Sequence, residues 1–241
     1  MSELVKYERD GSISRIVFED GKANVMSIAM LKALHEAFDQ AEKDKTVVIL
    51  AARGKHFSAG FDLNVFTKGT PEENHILLRS GAELALRILS HQMPVVAACH
   101  GNAYPMGAFL MLASDHRIAA AGDYKIGLNE VTIGLTVPRF AVELARQRLT
   151  PAYFNRTVVT GEMFGPEEAC AAGFFDRIVF AADLEREAEI AARALTRIDH
   201  KSHYASKLRA RGPAIGIIRQ VIDEDITMDY ANKRVSEREP A

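Results

Sequence analysis

The chain has 241 residues, 48% of them hydrophobic and 26% charged, enough for one sizeable core that needs neither disulfides nor a structural metal to fold. Thirty basic against thirty-two acidic side chains give a formal charge of −2, which lacks the basic excess of a dedicated nucleic-acid or anionic-membrane binder. Cys99 and Cys170 stand apart with no CxxC pair, and Glu3, Lys6, Glu8, Arg9 and Asp10 lie where the apolar core of a signal peptide would be, so a cytoplasmic protein is expected. The uncharged stretch from Gln92 to Ser114 is broken by Pro94, Gly101, Pro105 and Gly107, which excludes a membrane span.

In chain order, Leu4 to Glu8 and Ile13 to Phe18 read as a hairpin about an Asp10-Gly11 turn. Ser27 is an N-cap candidate, and Met30, Leu31, Leu34 and Phe38 follow at helical spacing to about Lys43. Val47 to Ala52 is a β-branched run suited to a strand buried on both faces. A glycine-bearing loop over 54–70 then leads to a helix around Ala82–Leu89, the strand Val95–Cys99, a broken turn at 101–105 and an apolar helix from about Met106 to Ala113. Strand Arg117–Ala120 and an extended piece at Tyr124–Gly127 complete an alternation that predicts an α/β core with largely parallel strands. From Pro138 the pattern is helical over Pro151–Val159, Pro166–Ala172 and Leu184–Leu195, with one late strand at Arg177–Val179. A core over 1–195 and a polar helical tail over 196–241, packed on the core or on a neighbouring subunit, is the expected division.

Three segments could carry chemistry. The helix Gly107 to Ala113 is apolar on every side and must be buried, yet its N-terminal amides at 106–108 need an acceptor. Either Asn102 or water caps them, or they face a developing negative charge such as a thioester enolate. Glu130 is the one ionisable side chain between Lys125 and Arg139, set among Leu128, Val131, Ile133 and Leu135. Desolvation favours the neutral form of a carboxyl group, the adjustment a general base working near neutral pH requires; a solvated turn residue is the alternative. In the loop 51–63, Ser58, Ala59 and Gly60 let a ligand approach the backbone closely. That loop is neither a phosphate loop nor a serine-nucleophile elbow. His200 and His203 lack a flanking carboxylate or cysteine in helical register, so no metal site is expected.

Phe57-Ser-Ala-Gly-Phe-Asp-Leu63, Val95-Val-Ala-Ala-Cys-His-Gly101 with Pro105-Met-Gly107, and Ile126-Gly-Leu-Asn-Glu-Val131, in this order, resemble the crotonase (enoyl-CoA hydratase/isomerase) superfamily. Gly161, Pro166, Glu167, Ala169, Gly173 and Asp176 match the helical section that follows, so the resemblance extends to about residue 180. It implies a spiral of ββα units with a C-terminal helical region, an acyl-CoA thioester as substrate, no cofactor beyond the coenzyme A moiety, and a homotrimer or dimer of trimers. It further implies that the backbone N–H groups of Phe61 and Met106 hold the thioester oxygen, with Gly107 the alternative second donor. Coenzyme A would lie along Lys22, Ala23, Ala59, Gly60, Asp62 and Leu63, with Gly107 and Phe109 at the substrate and Lys22, Lys55 and Lys207 as candidates for the phosphates. Hydratases of this superfamily carry a first catalytic glutamate six residues before the motif aspartate, here Asp115, and that position is Phe109. With Glu130 as the remaining acid/base, the closest motif is that of Δ3,Δ2-enoyl-CoA isomerases. Two other readings stand beside it: a hydratase or other crotonase-type lyase that recruits a second group such as His75 from the loop after Leu63, and a non-catalytic acyl-CoA or protein-binding relative.

Overall fold

The computed structural model describes residues 3–229. The final twelve positions of the expected tail therefore lie outside the described residues. Strands β1 (Val5–Asp10) and β2 (Ile13–Phe18) form the hairpin, with Gly11 at φ 57° in the turn. Ser27 accepts the Met30 amide at 3.1 Å and starts helix α1 (Ile28–Asp44). Strand β3 (Val47–Ala52) is followed by a short strand β4 (His56–Ser58), helix α2 (Leu63–Lys68) and helix α3 (Pro71–Leu89). The segment expected as a loop over 54–70 is thus largely ordered structure. The helix expected around Ala82 starts eleven residues earlier, behind a capping box in which Thr70 and Glu73 satisfy each other's backbone amides.

Strand β5 (Val95–Cys99), short strand β6 (Asn102–Ala103) and helix α4 (Pro105–Ala113) make the next unit, and β7 (His116–Ala120) and β8 (Ile126–Gly127) start a third. Helices α5 (Arg139–Arg148) and α6 (Pro151–Val158), strand β9 (Met163–Phe164), helix α7 (Pro166–Ala172), strand β10 (Arg177–Val179) and helices α8 (Leu184–Leu195) and α9 (His200–Asp225) complete the described chain. Each long strand enters a six-stranded sheet of order β1-β2-β3-β5-β7-β10, parallel from β2 onward. Each short strand enters a second sheet of order β4-β6-β8-β9, antiparallel only at its β8–β9 edge. The result is the expected α/β spiral of ββα units.

Burial on both faces of the large sheet explains its β-branched runs. Val48, Leu50, Val95, Ala97 and Cys99 point into the main core with Phe18, Leu34 and Phe38. Alternate residues Val47, Ile49, Val96 and Ile118 meet Leu184, Ala188 and Ala192 of α8 on the opposite face. Helix α4 lies inside the main core, and all its residues except Pro105 are buried. Helix α9 packs along α3 and α5 of the same chain. No helix among the described residues is long and apolar enough to cross a membrane.

Candidate active site

Parallel strands deliver their following loops to one end of a sheet, so the segments after β3 and β5 meet there. Three sets of bonds bring them together. The Ala59 amide donates to Ala23 O at 2.9 Å, the Ser58 hydroxyl donates to Asn24 O at 2.7 Å, and the Tyr104 amide donates to Ser58 O at 2.9 Å. Asn24, at φ 53°, ties the first loop down by donating its side-chain amide to Arg53 O and His56 O, both at 2.7 Å. Gly107 has no room for a side chain, because a Cβ there would lie 3.0 Å from Ser58 Cβ and 3.1 Å from Ser58 O.

This packing leaves two amides without a backbone acceptor among the described residues. Met26 donates to Gly60 O at 2.8 Å and accepts from Asp62 N at 3.3 Å, a parallel bridge that turns the N–H of the intervening Phe61 to the other side. In α4, Pro105 occupies the first helical position and the Ala108 amide returns to Tyr104 O at 3.0 Å. Tyr104 provides no side-chain cap, so the Met106 amide has no backbone or capping acceptor among the described residues. Asn102 is occupied elsewhere: it pairs with His56 Nδ1 at 2.9 Å and accepts from the Lys125 amide at 2.7 Å. Gly60, at φ 91°, brings the two segments close, since a Cβ on it would lie 3.8 Å from Met106 N and 3.6 Å from Pro105 Cδ.

Between these amides and α5 lies a cavity of about 550 Å³. Ala59, Gly60, Phe61, Leu63, Phe109 and Glu130 all line it. Glu130 is 6% exposed, and a short 3-10 turn (Val131–Ile133) fixes it: its carbonyl accepts the amides of Ile133 at 3.1 Å and Leu135 at 2.8 Å, and Gly134 closes the turn at φ 76°. Phe109 is fully buried against Phe140, edge to face at 5.3 Å. Of the other charged residues on the wall, Arg139 bonds Asp225 at 2.9 Å and Glu224 at 3.0 Å, which leaves Asp225 already paired.

Several expected residues sit elsewhere. Lys22 is exposed on the turn preceding Ala23, which accepts the Ala59 amide, and Lys55 is exposed in the loop between β3 and β4. Asp62 lies outside the cavity wall and caps α2 by accepting the Asn64 amide at 3.0 Å. Lys207 is not available to a coenzyme A phosphate: its side chain is 2% exposed, bonded to Asp115 at 2.8 Å and to His91 O at 2.7 Å. His75 is on α3 rather than in a loop; it does not itself line the cavity, and its Nε2 is 3.0 Å from the carbonyl oxygen of the wall residue Ile226. Sequence reasoning passed over Gly81, where a Cβ would fall 2.4 Å from Phe61 Cε1 and 3.2 Å from Met106 Sδ. A glycine inside a long helix costs about 1 kcal/mol against alanine, and that cost is the signal of a tight contact.

Two amides without a backbone acceptor among the described residues, that of Phe61 on the wall of an apolar cavity and that of Met106 next to the wall residue Pro105, with a buried carboxylate on the same wall, are equipment that suits drawing a proton from beside a carbonyl and sheltering the enolate. The chain belongs to the enoyl-CoA hydratase/isomerase family, whose sequence profile matches residues 8–211. Among solved structures, an enoyl-CoA hydratase/isomerase family protein from Pseudomonas syringae is 40% identical over 93% of this chain and 97% of its own, with a TM-score of 0.90. An enoyl-CoA isomerase from Mycobacterium tuberculosis is 42% identical over 92% of this chain and 97% of its own, with a TM-score of 0.88. Carnitinyl-CoA dehydratase from Escherichia coli is 32% identical, covering 81% of this chain and 75% of its own length. Relatives thus bear isomerase, hydratase and dehydratase names, and the family alone does not choose between the reactions.

Proposed function

We propose that the protein isomerises 3-enoyl-CoA to trans-2-enoyl-CoA. Phe109 carries this reading: it shares the cavity wall with Glu130 where a second, water-holding carboxylate would be needed for hydration. Glu130 removes a C2 proton, and the electron pair moves into the thioester, whose oxygen the Phe61 and Met106 amides hold. The C3–C4 double bond shifts to C2–C3 as Glu130 returns the proton to C4. Electrons and atoms balance within the substrate, so the step calls on no redox partner and no cofactor beyond the coenzyme A moiety. The strip from Lys22 and Ala23 through Ala59 to Leu63 carries the coenzyme A, with Lys22 and Lys55 on the surface side for its phosphates.

The likeness to carnitinyl-CoA dehydratase keeps hydration as the second reading, and Asp225 is the acid on the wall that it would have to recruit. Its bond to Arg139 weighs against that role. A non-catalytic acyl-CoA binder would have no use for a carboxylate 6% exposed in an apolar wall. The same reading carries a homotrimer or dimer of trimers, which analytical ultracentrifugation tests. For the reaction, purified protein is given 3-hexenoyl-CoA and, separately, crotonyl-CoA. Double-bond migration should exceed water addition by orders of magnitude, and comparable rates would refute the single-base reading.

A further inference from the structure

A second cavity, of about 760 Å³, lies at the other end of the sheet, where β7 begins and α4 ends. Its charged wall comes from three elements: Asp115 and His116 at the start of β7, Arg148 at the end of α5, and His203, Lys207 and Arg211 on α9. One carboxylate stands among three cations there and pairs with two of them. Asp115 bonds Lys207 at 2.8 Å and Arg211 at 2.9 Å, and its Oδ2 also accepts the Val95 amide at 2.8 Å. Arg148 donates to Leu112 O at 3.2 Å and Ser114 O at 2.5 Å and forms no ion pair with any carboxylate among the described residues. The nearby Asp176 does not make up the difference, because Arg117 binds it through both oxygens.

We propose that this cavity binds a small, doubly charged oxyanion of the phosphate class. The wall carries an excess of two positive charges, and two of its three cations already have a carboxylate while Arg148 is left with backbone carbonyls. A guanidinium presents several coplanar donors suited to tetrahedral oxyanions, and partial burial strengthens such bonds. His203 also lines this wall. The electrostatics of the wall agree: burial, then the neighbouring Arg117 and Arg211, push the Arg148 guanidinium down to about 9, and burial pushes Lys207 and Arg211 below their ordinary values. A dianion would relieve all three.

The test is calorimetric titration of the full chain with inorganic phosphate against chloride at matched ionic strength, without and with saturating free coenzyme A to occupy the substrate's own phosphate positions. Thermal unfolding is followed under the same conditions. A saturable one-site phosphate isotherm that survives coenzyme A, with a rise in Tm that chloride does not give, is expected. Arg148→Gln should weaken phosphate binding at least tenfold. Ala210→Glu, which sets a carboxylate on the exposed part of the same wall, should raise Tm without phosphate and abolish the phosphate response. Should Arg148→Gln not fold, Ala210→Glu decides alone. Equal behaviour in phosphate and chloride, a response that coenzyme A removes, or wild-type phosphate affinity in Ala210→Glu would overturn the proposal.

Discussion

Replacing Glu130 by glutamine is the sharpest perturbation of the proposed mechanism, because it keeps the side chain's shape while removing its basicity. The local fold should survive: the residue is held by its carbonyl, which accepts the Ile133 and Leu135 amides, and the amide side chain is neutral in a wall that is mostly apolar. A positioned general base contributes about 10²–10⁴-fold. That corresponds to roughly 3–5 kcal/mol of transition-state stabilisation at 1.36 kcal/mol per tenfold. The other acid on the wall, Asp225, is bonded to Arg139 at 2.9 Å, so it does not stand ready to take over either proton transfer. Turnover of 3-hexenoyl-CoA should therefore fall by at least 10²-fold. Affinity for a saturated acyl-CoA, measured by calorimetry, should change little. Exchange of the C2 protons of a bound substrate analogue with heavy water should stop in parallel. Turnover within a few-fold of wild type, in a variant that binds acyl-CoA normally, would refute the assignment of Glu130 as sole proton carrier.

Three further outcomes follow from the same geometry. Phe109→Glu should give measurable hydration of crotonyl-CoA at a cost in stability, since it loses the 5.3 Å ring contact with Phe140 and buries a carboxylate; a folded variant with no hydratase activity would show that a second acid at 109 cannot reach the substrate. Gly60→Ala forces a side chain onto φ 91°, which costs about 1–3 kcal/mol and a few degrees in Tm, and any relief by backbone rotation swings the Phe61 amide; kcat should drop well beyond the stability loss, and unchanged kcat would remove Phe61 from the oxygen-binding role. Burial holds His91, His116 and His203 below the ordinary value of 6.5 in the folded chain, so the unfolded chain binds more protons as pH falls below 6.5 and stability is lost toward acid. Thermal unfolding between pH 7.5 and 5.5 should show a falling Tm, less steep in His91→Gln; a Tm that rises on acidification would contradict the sign.

What was legible in the sequence was whatever repeated over enough residues to show a period. Val47–Ala52, Val95–Cys99, Pro166–Ala172 and Leu184–Leu195 occupy the expected positions because each is a buried run or an amphipathic stretch bounded by breakers. Of the second sheet only β8 was visible, as the end of the extended piece at Tyr124–Gly127; β6 and β9 are two residues long and β4 three, too short for any alternation to register. The missed start of α3 was written in Thr70-Pro-Glu-Glu73, a capping box hidden by reading the glycine-rich segment before it as one loop. Lys207 misled for a different reason. A lysine is exposed by default, but positions 207, 211, 215, 218 and 222 of α9 fall on one buried stripe, and the first two are basic. Their spacing, not their residue type, carried the information.

The two ends of α4 show how one buried helix is made tolerable by what it meets. A fully apolar helix cannot satisfy its terminal peptide groups with its own side chains. At the C-terminal end, Arg148 and Arg211 fill that need, donating to Leu112 O, Ser114 O and Ala113 O, and their charges also suit the negative end of the helix dipole. At the N-terminal end no side chain does so, although Asn102 is close in sequence; its amide group goes to His56 and Lys125 instead. A protein selected for stability alone would gain about 1 kcal/mol from a cap at Tyr104. In the proposed reaction, leaving the Met106 amide open, with the Phe61 amide turned out of its bridge, is a cost that an anionic thioester oxygen would recover. Such a debt is repaid most fully by the species with the most negative oxygen, which is why this arrangement favours the enolate over the thioester that precedes it.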